Sequence, residues 1–485
     1  MKEELLLLGL ASIFTTGQAS AQQKKAENKA IKPNIVYILA DDLGYGDLSC
    51  YGQKKFKTPN IDKLASEGML FTQHYAGCTV CAPSRSSLMT GLTTGHTPVR
   101  GNKHAESHEG QWPLPDSSFT IAEMLQQAGY VTGAFGKWGL GYPGSTGDPV
   151  NQGFDEFYGY NSQTLAHNYY PGHLWHNRQK IILEGNTGDK NEEYSPELIQ
   201  QKALKFIENN QSKPFFLYYA TTIPHAELLL PVKYLKKYRG KYDPEKQYKG
   251  AEYGDKRFRE GAYGTQPECH AAFAAMVTLL DKQVGEVYAK LKELGLEKNT
   301  LIIFTSDNGP HKEGGADPDY FNSNGPLKGY KRDLYEGGVR EPMIAYWPGH
   351  VKAGSKSDHI SAFWDVMPTF AALTGTTCPS SIDGISFLPT LLGKPGQKEH
   401  DYIYFEFHEQ GGKQSVRKGK WKLIRLNVLE PEKTTLELYD LSKDIGEEHN
   451  IAAEHPKVVK ELETLMDHSR IPSEIFPFQA ETVAE

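Results

Sequence analysis

Two short apolar runs, each ending in oxygen-bearing side chains, are the feature that most restricts how this chain can fold. The runs are residues 33–40 (PNIVYILA), followed by Asp41 and Asp42, and residues 301–305 (LIIFT), followed by Ser306, Asp307 and Asn308. Short runs rich in β-branched and aromatic residues are typical of strands buried on both faces of a parallel sheet. A helical pattern over residues 271–294 precedes the second run, and this order predicts an α/β fold.

The side chains that follow the two runs predict a metal site. Three carboxylates and one amide supply only oxygen atoms, and this set suits Ca²⁺ or Mg²⁺ rather than zinc. A pair of acidic residues after one strand is more often a turn or a helix cap. The occurrence of paired oxygen ligands after two strands favours the metal.

Residues 81–91 (CAPSRSSLMTG) form the most informative segment for chemistry. Pro83 suits the first turn of a helix, so Cys81 is predicted at a helix N-terminus, where free backbone N–H groups favour an anion. Arg85, one turn further, is a permanent cation able to form a forked contact with an oxyanion. The segment therefore combines a thiol, a helix N-terminus and a cation.

The spacing of Cys78 and Cys81 has a second interpretation. Cys-x-x-Cys is also found in dithiol redox sites and as half of a zinc site. The remaining cysteines, Cys50, Cys269 and Cys378, are scattered singly, so the second pair that a zinc site needs is missing.

Residues 81–85 resemble the signature of the formylglycine-dependent sulfatase family. The resemblance implies that Cys81 is oxidised after translation to formylglycine, whose hydrated aldehyde is the nucleophile. A formylglycine-generating or anaerobic sulfatase-maturating enzyme is then a partner. We predict one bound Ca²⁺, with Mg²⁺ as second choice, because calcium tolerates the irregular geometry expected at two loop ends. The implied metal ligands are Asp41, Asp42, Asp307, Asn308 and the side chain of residue 81.

Three further residues match family positions that contact the sulfate group or the reacting atoms. Lys137 and His225 each follow a predicted strand, and Lys331 lies shortly before a Glu-Gly-Gly-x-Arg turn. With Cys81 and Arg85 they form the catalytic set that the resemblance implies.

The chain departs from the commonest family pattern at Gly139. Residues 136–141 read GKWGLG, where the usual pattern has histidine in place of Gly139. This variant resembles a branch of bacterial carbohydrate sulfatases. The departure leaves open which group assists the breakdown of the covalent intermediate, with His225 and the metal as the candidates.

A loop at residues 167–176 (HNYYPGHLWH) interleaves aromatic rings with hydrogen-bonding groups. Aromatic rings stack on sugars, and the polar groups can bond to hydroxyls. His167 and Tyr169 are the predicted substrate contacts. The alternative is a structural loop packed on the core.

The N-terminus predicts export. Residues 5–14 are apolar and residues 19–21 read ASA, so residues 1–21 are predicted to be a signal peptide and the protein to be secreted or periplasmic. No stretch approaches the ~20 apolar residues of a membrane span, and none is expected. The formal net charge of −7 argues against a nucleic-acid partner, because proteins that bind long polyanions are basic.

The resemblance implies an alkaline-phosphatase-like α/β fold, with a large catalytic domain and a central mixed sheet over residues 33–375. Between residues 395 and 480, short strand patterns precede an amphipathic pattern at 455–468. These patterns predict a smaller C-terminal α+β subdomain with an antiparallel sheet.

The sugar, the sulfated position, exo or endo action and the oligomeric state are not determined by the sequence. The chain is expected to hydrolyse sulfate esters of a saccharide, on galactose or N-acetylgalactosamine units, with glucosamine sulfates as the main alternative. One alternative is a phosphonate or phosphate ester hydrolase of the alkaline phosphatase superfamily. Another is a non-catalytic glycan-binding relative. A doubly charged phosphate favours a second metal site, and no clear second ligand set stands out in the sequence.

Overall fold

The computed structural model describes residues 32–105 and 109–478. The predicted signal peptide, residues 1–21, lies outside the described residues. No helix in the described part of the chain has the length and apolar character needed to cross a membrane.

A mixed sheet of eleven strands forms the centre of the described part of the chain. In chain order the strands are β1 (Asn34–Ala40), β2 (Met69–Tyr75), β3 (Val131–Lys137), β4 (Glu156–Tyr160), β5 (His173–His176), β6 (Gln179–Ile182), β7 (Phe215–Ala220), β8 (Thr300–Ser306), β9 (Arg340–Tyr346), β10 (Ser355–Ser357) and β11 (Ser361–Ala362). Ten of them run in the order β10-β2-β9-β8-β1-β7-β3-β4-β5-β6, and β11 pairs with β2. β8, β1, β7, β3 and β4 are parallel, whereas β9 and β5 run antiparallel to their neighbours. The predicted central mixed sheet is confirmed.

The described residues form eleven α-helices, and several of them cover both faces of this sheet. In chain order they are α1 (Pro59–Glu67), α2 (Cys81–Thr90), α3 (Ile121–Gln127), α4 (Ser195–Asn209), α5 (Val232–Leu235), α6 (Cys269–Glu293), α7 (Pro318–Phe321), α8 (Glu336–Val339), α9 (Val366–Thr374), α10 (Leu388–Leu391) and α11 (Pro456–His468). The pattern predicted at 271–294 corresponds to α6, which is the longest of them.

Strand β1 illustrates why the apolar runs of the sequence become central strands. It lies between β8 and β7, and all of its residues are buried. Val36 and Ile38 pack in a core with helices α1, α4 and α6, whereas Ile35 and Tyr37 pack in a second core with α3 and α9. A strand covered on both faces needs apolar side chains on both, so its residues do not alternate with polar ones.

The carboxyl ends of the parallel strands meet at one edge of the sheet. Ala40 of β1 lies opposite Ser306 of β8. Lys137, the last residue of β3, lies opposite Tyr160, the last residue of β4. Ligands of open α/β sheets bind at this edge, and the predicted site residues follow these strand ends.

A second, four-stranded antiparallel sheet lies toward the C-terminus. Its strands are β12 (Ile403–Phe407), β13 (Lys413–Lys418), β14 (Trp421–Leu426) and β15 (Thr435–Asp440). Leu462 and Met466 of α11 pack with Val416 and Leu423 of this sheet. The smaller antiparallel sheet is thereby confirmed, while the domain limits 33–375 and 395–480 remain predictions.

Glu336, the first residue of α8, links the two sheets through buried charges. Its carboxylate accepts hydrogen bonds from Tyr75 of β2 (2.7 Å), Arg340 of β9 (3.1 Å) and Lys422 of β14 (2.9 Å). Burial acts to raise the pKa of Glu336, but Lys422, Arg417 and Arg340 together hold it below its ordinary value. The carboxylate therefore stays ionised and holds the C-terminal sheet against the central one.

We expect Glu336→Ala to lower the free energy of unfolding by about 3–5 kcal/mol, because Arg340 would stay buried without its counter-charge and Lys422 would keep only Glu447 as a partner. Urea unfolding followed by fluorescence measures the change. Glu67→Ala is the matched control, since it removes an exposed partner 4.0 Å from Lys63 and should leave the unfolding midpoint nearly unchanged. Equal midpoints for the two variants would contradict the linking role of Glu336.

Candidate active site

Cys81 is the residue around which the candidate site is built. It is the first residue of α2, as the sequence predicts, and it follows β2, which runs in the same direction as β8. Cys81 is buried, and its Sγ lies 3.2 Å from Nζ of Lys137 and 3.4 Å from Oδ1 of Asp41. Burial, and then the charge of Asp307, raise the pKa of the thiol well above its ordinary value. The thiol is therefore protonated at neutral pH.

Acidic side chains from the ends of β1 and β8 surround this thiol. Asp41, Asp42, Cys81 and Asp307 each offer a ligand atom, and these atoms all lie within 4.8 Å of one another. All four residues are buried. Burial, and then the charge of Asp41, raise the pKa of Asp307 above its ordinary value, which reflects the concentration of negative charge. A divalent cation at this position would offset the repulsion among these carboxylates.

Asn308 completes the set of oxygen atoms. Its Nδ2 donates to Oδ1 of Asp42 (2.6 Å) and to the carbonyl oxygen of Gly309 (3.0 Å). Its Oδ1 is buried and has no hydrogen-bond partner within the described residues. A buried amide oxygen without a partner is costly, and a cation would satisfy it. All the predicted metal ligands thus meet in one place, and the oxygen-rich set fits a hard cation.

Two buried lysines lie on either side of the acidic cluster. Nζ of Lys137 is 2.8 Å from Oδ2 of Asp41, and Nζ of Lys331 is 2.9 Å from Oδ2 of Asp42. Burial acts to lower the pKa of each lysine, but the adjacent carboxylates raise both values above the ordinary one. Both ammonium groups are therefore charged and can bind an anion that docks on the cluster.

Arg85 contacts a carboxylate where the sequence suggested an oxyanion. Its Nε and Nη2 both donate to Oδ2 of Asp307, at 3.1 and 2.8 Å, and its Nη1 donates to the carbonyl oxygen of Lys137 (2.5 Å). The side chain is fully buried. Its forked group is occupied by protein atoms, so Arg85 positions Asp307 behind the site.

His225 lies beside Lys331 in a fixed tautomer. Its Nδ1 bonds to the carbonyl oxygen of Ala226, so Nδ1 carries the proton, and Nε2 accepts a hydrogen bond from Nζ of Lys331 (2.9 Å). Burial, and then the charge of Lys331, lower the pKa of His225 well below its ordinary value. The imidazole is therefore neutral.

The two predicted sugar contacts lie at different depths. The half-buried ring of His167 stacks on that of His225, with centroids 5.1 Å apart. Burial, and then the charge of Lys137, lower the pKa of His167 to about 4. Tyr169 is fully buried, and its hydroxyl lies 2.6 Å from the carbonyl oxygens of Thr222 and His225. Tyr169 therefore supports the loop that carries His225, and it has no free face for a sugar.

Three residues outside the recognised motifs also reach the site. Oε2 of Glu313 lies 3.2 Å from Nζ of Lys331 and from the hydroxyl of Tyr263, and His311 stacks on His225 with centroids 5.0 Å apart. His311 and Glu313 lie in the turn after β8, a few residues beyond Asp307 and Asn308. Their position in the sequence could therefore have identified them as candidate site residues. Tyr263 lies in the long connection between β7 and α6, where no pattern marks it.

Asp42, His311 and Glu313 form a second group of potential metal ligands. The ammonium of Lys331 lies between the two carboxylates of this group, 2.9 Å from Asp42 and 3.2 Å from Glu313. A lysine thus supplies the positive charge that a second cation would bring. Within the described residues, the arrangement favours one metal ion rather than the two that suit a doubly charged phosphate.

Comparisons with known proteins agree with this geometry. The family model described as Sulfatase matches residues 33–376, and the model described as N-sulphoglucosamine sulphohydrolase, C-terminal, matches residues 329–471. The N-acetylgalactosamine-6-O-sulfatase of Bacteroides thetaiotaomicron is 30% identical, over 95% of this chain and 97% of that protein. The N-acetylgalactosamine-6-sulfatase of Rattus norvegicus is 34% identical over 74% of this chain, which spans 66% of that protein's length.

A solved structure extends the likeness to three dimensions. The crystal structure of Ps i-CgsB in complex with k-i-k-neocarrahexaose has a TM-score of 0.74 and 29% identity, covering 90% of this chain and 92% of that one. This likeness agrees with the alkaline-phosphatase-like fold. The chain belongs to the sulfatase family of sulfuric ester hydrolases.

We expect Asn308→Ala to weaken binding of a divalent cation by about 10-fold or more, because the variant loses the one ligand oxygen with no protein partner. Titration of the metal-stripped protein with Ca²⁺, and in parallel with Mg²⁺, by calorimetry measures the affinity. Asn209→Ala, at an exposed position in α4, is the control and should bind the cation like the parent. Unchanged affinity in Asn308→Ala would remove Asn308 from the ligand set.

Proposed function

We propose that the protein removes sulfate from carbohydrates, using formylglycine at position 81 and one Ca²⁺, with Mg²⁺ as second choice. The observation that carries the proposal is the place of Cys81, the first residue of a buried helix beside three carboxylates. Lys137 and Lys331 flank these carboxylates. The relatives named as sulfatases of N-acetylgalactosamine support a sugar substrate.

An unmodified thiol at position 81 would be a poor nucleophile. Thiolate is the reactive form, and burial keeps the thiol of Cys81 protonated. A hydrated aldehyde at this position would supply two hydroxyl groups on one carbon, one to displace the sugar oxygen from sulfur and the other to release the sulfate. The oxidation that forms the aldehyde requires a formylglycine-generating or anaerobic sulfatase-maturating enzyme, which brings its own oxidant.

The proposed metal ligands are the oxygen atoms that converge at the ends of β1 and β8. They are Asp41, Asp42, Asp307, Asn308 and the side chain of residue 81. When bound, the cation would offset negative charge on the sulfate oxygens and favour an ionised hydroxyl at residue 81. Calcium tolerates the irregular geometry expected where ligands come from two loops. Arg85 acts as a positioning residue, because it holds Asp307 by two hydrogen bonds.

The two lysines have different tasks in this proposal. Nζ of Lys137 lies 3.2 Å from Sγ of residue 81, so Lys137 orients the nucleophile. An in-line displacement places the leaving sugar oxygen opposite the nucleophile, and we assign that side to Lys331 and His225, which share a hydrogen bond of 2.9 Å. Nε2 of His225 accepts a hydrogen bond from the ammonium of Lys331 and so orients it, and Nζ of Lys331 donates a proton to the leaving oxygen.

The proposed substrate is a sulfated galactose or N-acetylgalactosamine unit. Nδ1 of His167 donates to the carbonyl oxygen of Gly261 (3.0 Å), which leaves Nε2 as an acceptor for a sugar hydroxyl at the half-buried edge of the site. The predicted signal peptide would bring the enzyme to the periplasm or the outside of the cell, where fragments of sulfated polysaccharides are available.

Protein produced together with a maturation enzyme should carry formylglycine at position 81, as measured by mass spectrometry of the peptide that contains it. It should release sulfate from sulfated galactosides and from 4-nitrophenyl sulfate. Cys81→Ser should lose about three orders of magnitude or more in kcat, because serine has no second hydroxyl to release the sulfate. Cys378→Ala is the control and should keep the parent activity.

Three outcomes of this experiment would contradict the proposal. Full activity with an unmodified thiol would remove formylglycine from the mechanism. Faster release of phosphate from 4-nitrophenyl phosphate than of sulfate from the matched sulfate would favour the phosphate ester hydrolase. Tight binding of a sulfated saccharide without release of any sulfate would favour a glycan-binding protein.

His167→Ala should reduce kcat/KM for a sulfated galactoside by about 10-fold or more and reduce that for 4-nitrophenyl sulfate much less, because only the sugar offers a hydroxyl to Nε2. Tyr169→Phe is the matched variant. It removes a buried hydroxyl that supports the His225 loop, so it should affect both substrates alike. Equal losses on both substrates in His167→Ala would exclude His167 as a sugar contact.

A further inference from the structure

The space beside Gly139 is filled by the side chain of Gln163. Gly139 has a φ of +77°, and a Cβ built on it would lie 2.0 Å from Nε2 and 2.7 Å from Cδ of Gln163. Such distances are far inside van der Waals contact, so a side chain at 139 and this position of Gln163 exclude each other. The glycine and the glutamine therefore form one unit, in which residue 163 supplies the functional group.

The carboxamide of Gln163 is buried and unpaired. The residue is 6% exposed, and neither Nε2 nor Oε1 has a hydrogen-bond partner within the described residues. The backbone N–H of Gln163 donates a hydrogen bond to Oε1 of Gln111 (3.2 Å). Buried amide groups nearly always have partners, because an unmade hydrogen bond is costly. The carboxamide of Asn161, two residues earlier, is also unpaired, but Gln163 is the one that fills the space beside Gly139, where a ligand can supply its partners.

The segment that carries Gln163 lies along the candidate active site. It begins at Tyr160, which pairs with Lys137, and Gly139 donates its N–H to the carbonyl oxygen of Asn161 (3.0 Å). It ends at His167, whose ring stacks on His225. Gln163 thus lies on a stretch of chain whose ends contact Lys137 and His225.

We propose that Gln163 determines substrate specificity by hydrogen-bonding a free hydroxyl group of the sugar, close to the sulfate ester. Sulfate oxygens only accept hydrogen bonds, so a sulfate would satisfy one end of the carboxamide and leave the other unpaired. A sugar hydroxyl donates and accepts, so it satisfies both ends. The proposal rests on the proposed function of the site, because it assumes a sulfated sugar as substrate.

Binding to a catalytically silenced enzyme separates this proposal from the question of turnover. In the Cys81→Ser background, the affinity for a sulfated galactoside and for 4-nitrophenyl sulfate is measured by calorimetry, with and without Gln163→Met. Methionine keeps the length of the side chain and its packing against Gly139, and it loses both hydrogen bonds. We expect the galactoside to bind about 10- to 100-fold more weakly and the aryl sulfate to change less than threefold.

Monodeoxy analogues of the sulfated galactoside identify the hydroxyl. The analogue that lacks this hydroxyl should bind to the protein with Gln163 more weakly than the parent sugar does. To Gln163→Met, this analogue and the parent sugar should bind with equal affinity. Gln126→Ala, which removes an exposed glutamine bonded to Asp155, is the control and should leave all affinities unchanged.

The thermal midpoint of the protein without ligand distinguishes a ligand-binding role of Gln163 from a structural one. Because the carboxamide has no protein partner to lose and methionine still fills the space beside Gly139, Gln163→Met should keep or raise the thermal midpoint of the protein without ligand. Gln163→Ala empties that space and should lower it. Equal weakening of both ligands, unchanged discrimination among the deoxy analogues, or a lower midpoint in Gln163→Met would overturn the proposal. If the sugars bind selectively through Gln163 but no sulfate is released by the matured enzyme, the proposed function fails and the role of Gln163 stands.

Discussion

The balance of buried charge at the carboxyl ends of β1 and β8 is the constraint on which the rest of the site depends. Three buried carboxylates meet there, and isolated buried charges are prohibitively costly. Three buried cations from separate elements balance these carboxylates. They are Arg85 on α2, Lys137 at the end of β3 and Lys331 in the loop before α8. This balance leaves the cluster near neutrality, so attraction for a sulfate monoester depends on the further charge of a bound cation.

The parts of the fold that the sequence predicts well are those whose signal is local. The runs at 33–40 and 301–305 become β1 and β8 with shifts of one residue, because strands covered on both faces are uniformly apolar. The amphipathic pattern at 455–468 becomes α11, because one apolar side of the helix packs against the C-terminal sheet. The predicted metal ligands meet because parallel strands bring their carboxyl ends to one edge of the sheet.

Long-range partners could not be predicted in this way. Arg85 looked available to an oxyanion, but its guanidinium is bonded to Asp307, 222 positions further along the chain. Tyr169 looked like a sugar contact, but its hydroxyl meets backbone carbonyl oxygens beneath His225. A side chain of suitable chemistry identifies a candidate, and only the tertiary structure decides whether it faces the ligand or supports a residue that does.

Gly139 shows how this limit affects the interpretation of a motif. In the sequence, Gly139 stands where the usual family pattern has histidine, and the sequence does not say which group takes over the role of that histidine. In the structure the volume next to Gly139 belongs to a carboxamide from the neighbouring strand connection, with both of its polar atoms unpaired. A charge-balanced cluster can recognise the sulfate group of any substrate, because every sulfate ester presents the same acceptor oxygens. Discrimination among sugars must therefore come from groups that both donate and accept, and among the described residues Gln163 offers such a group beside the end of β3.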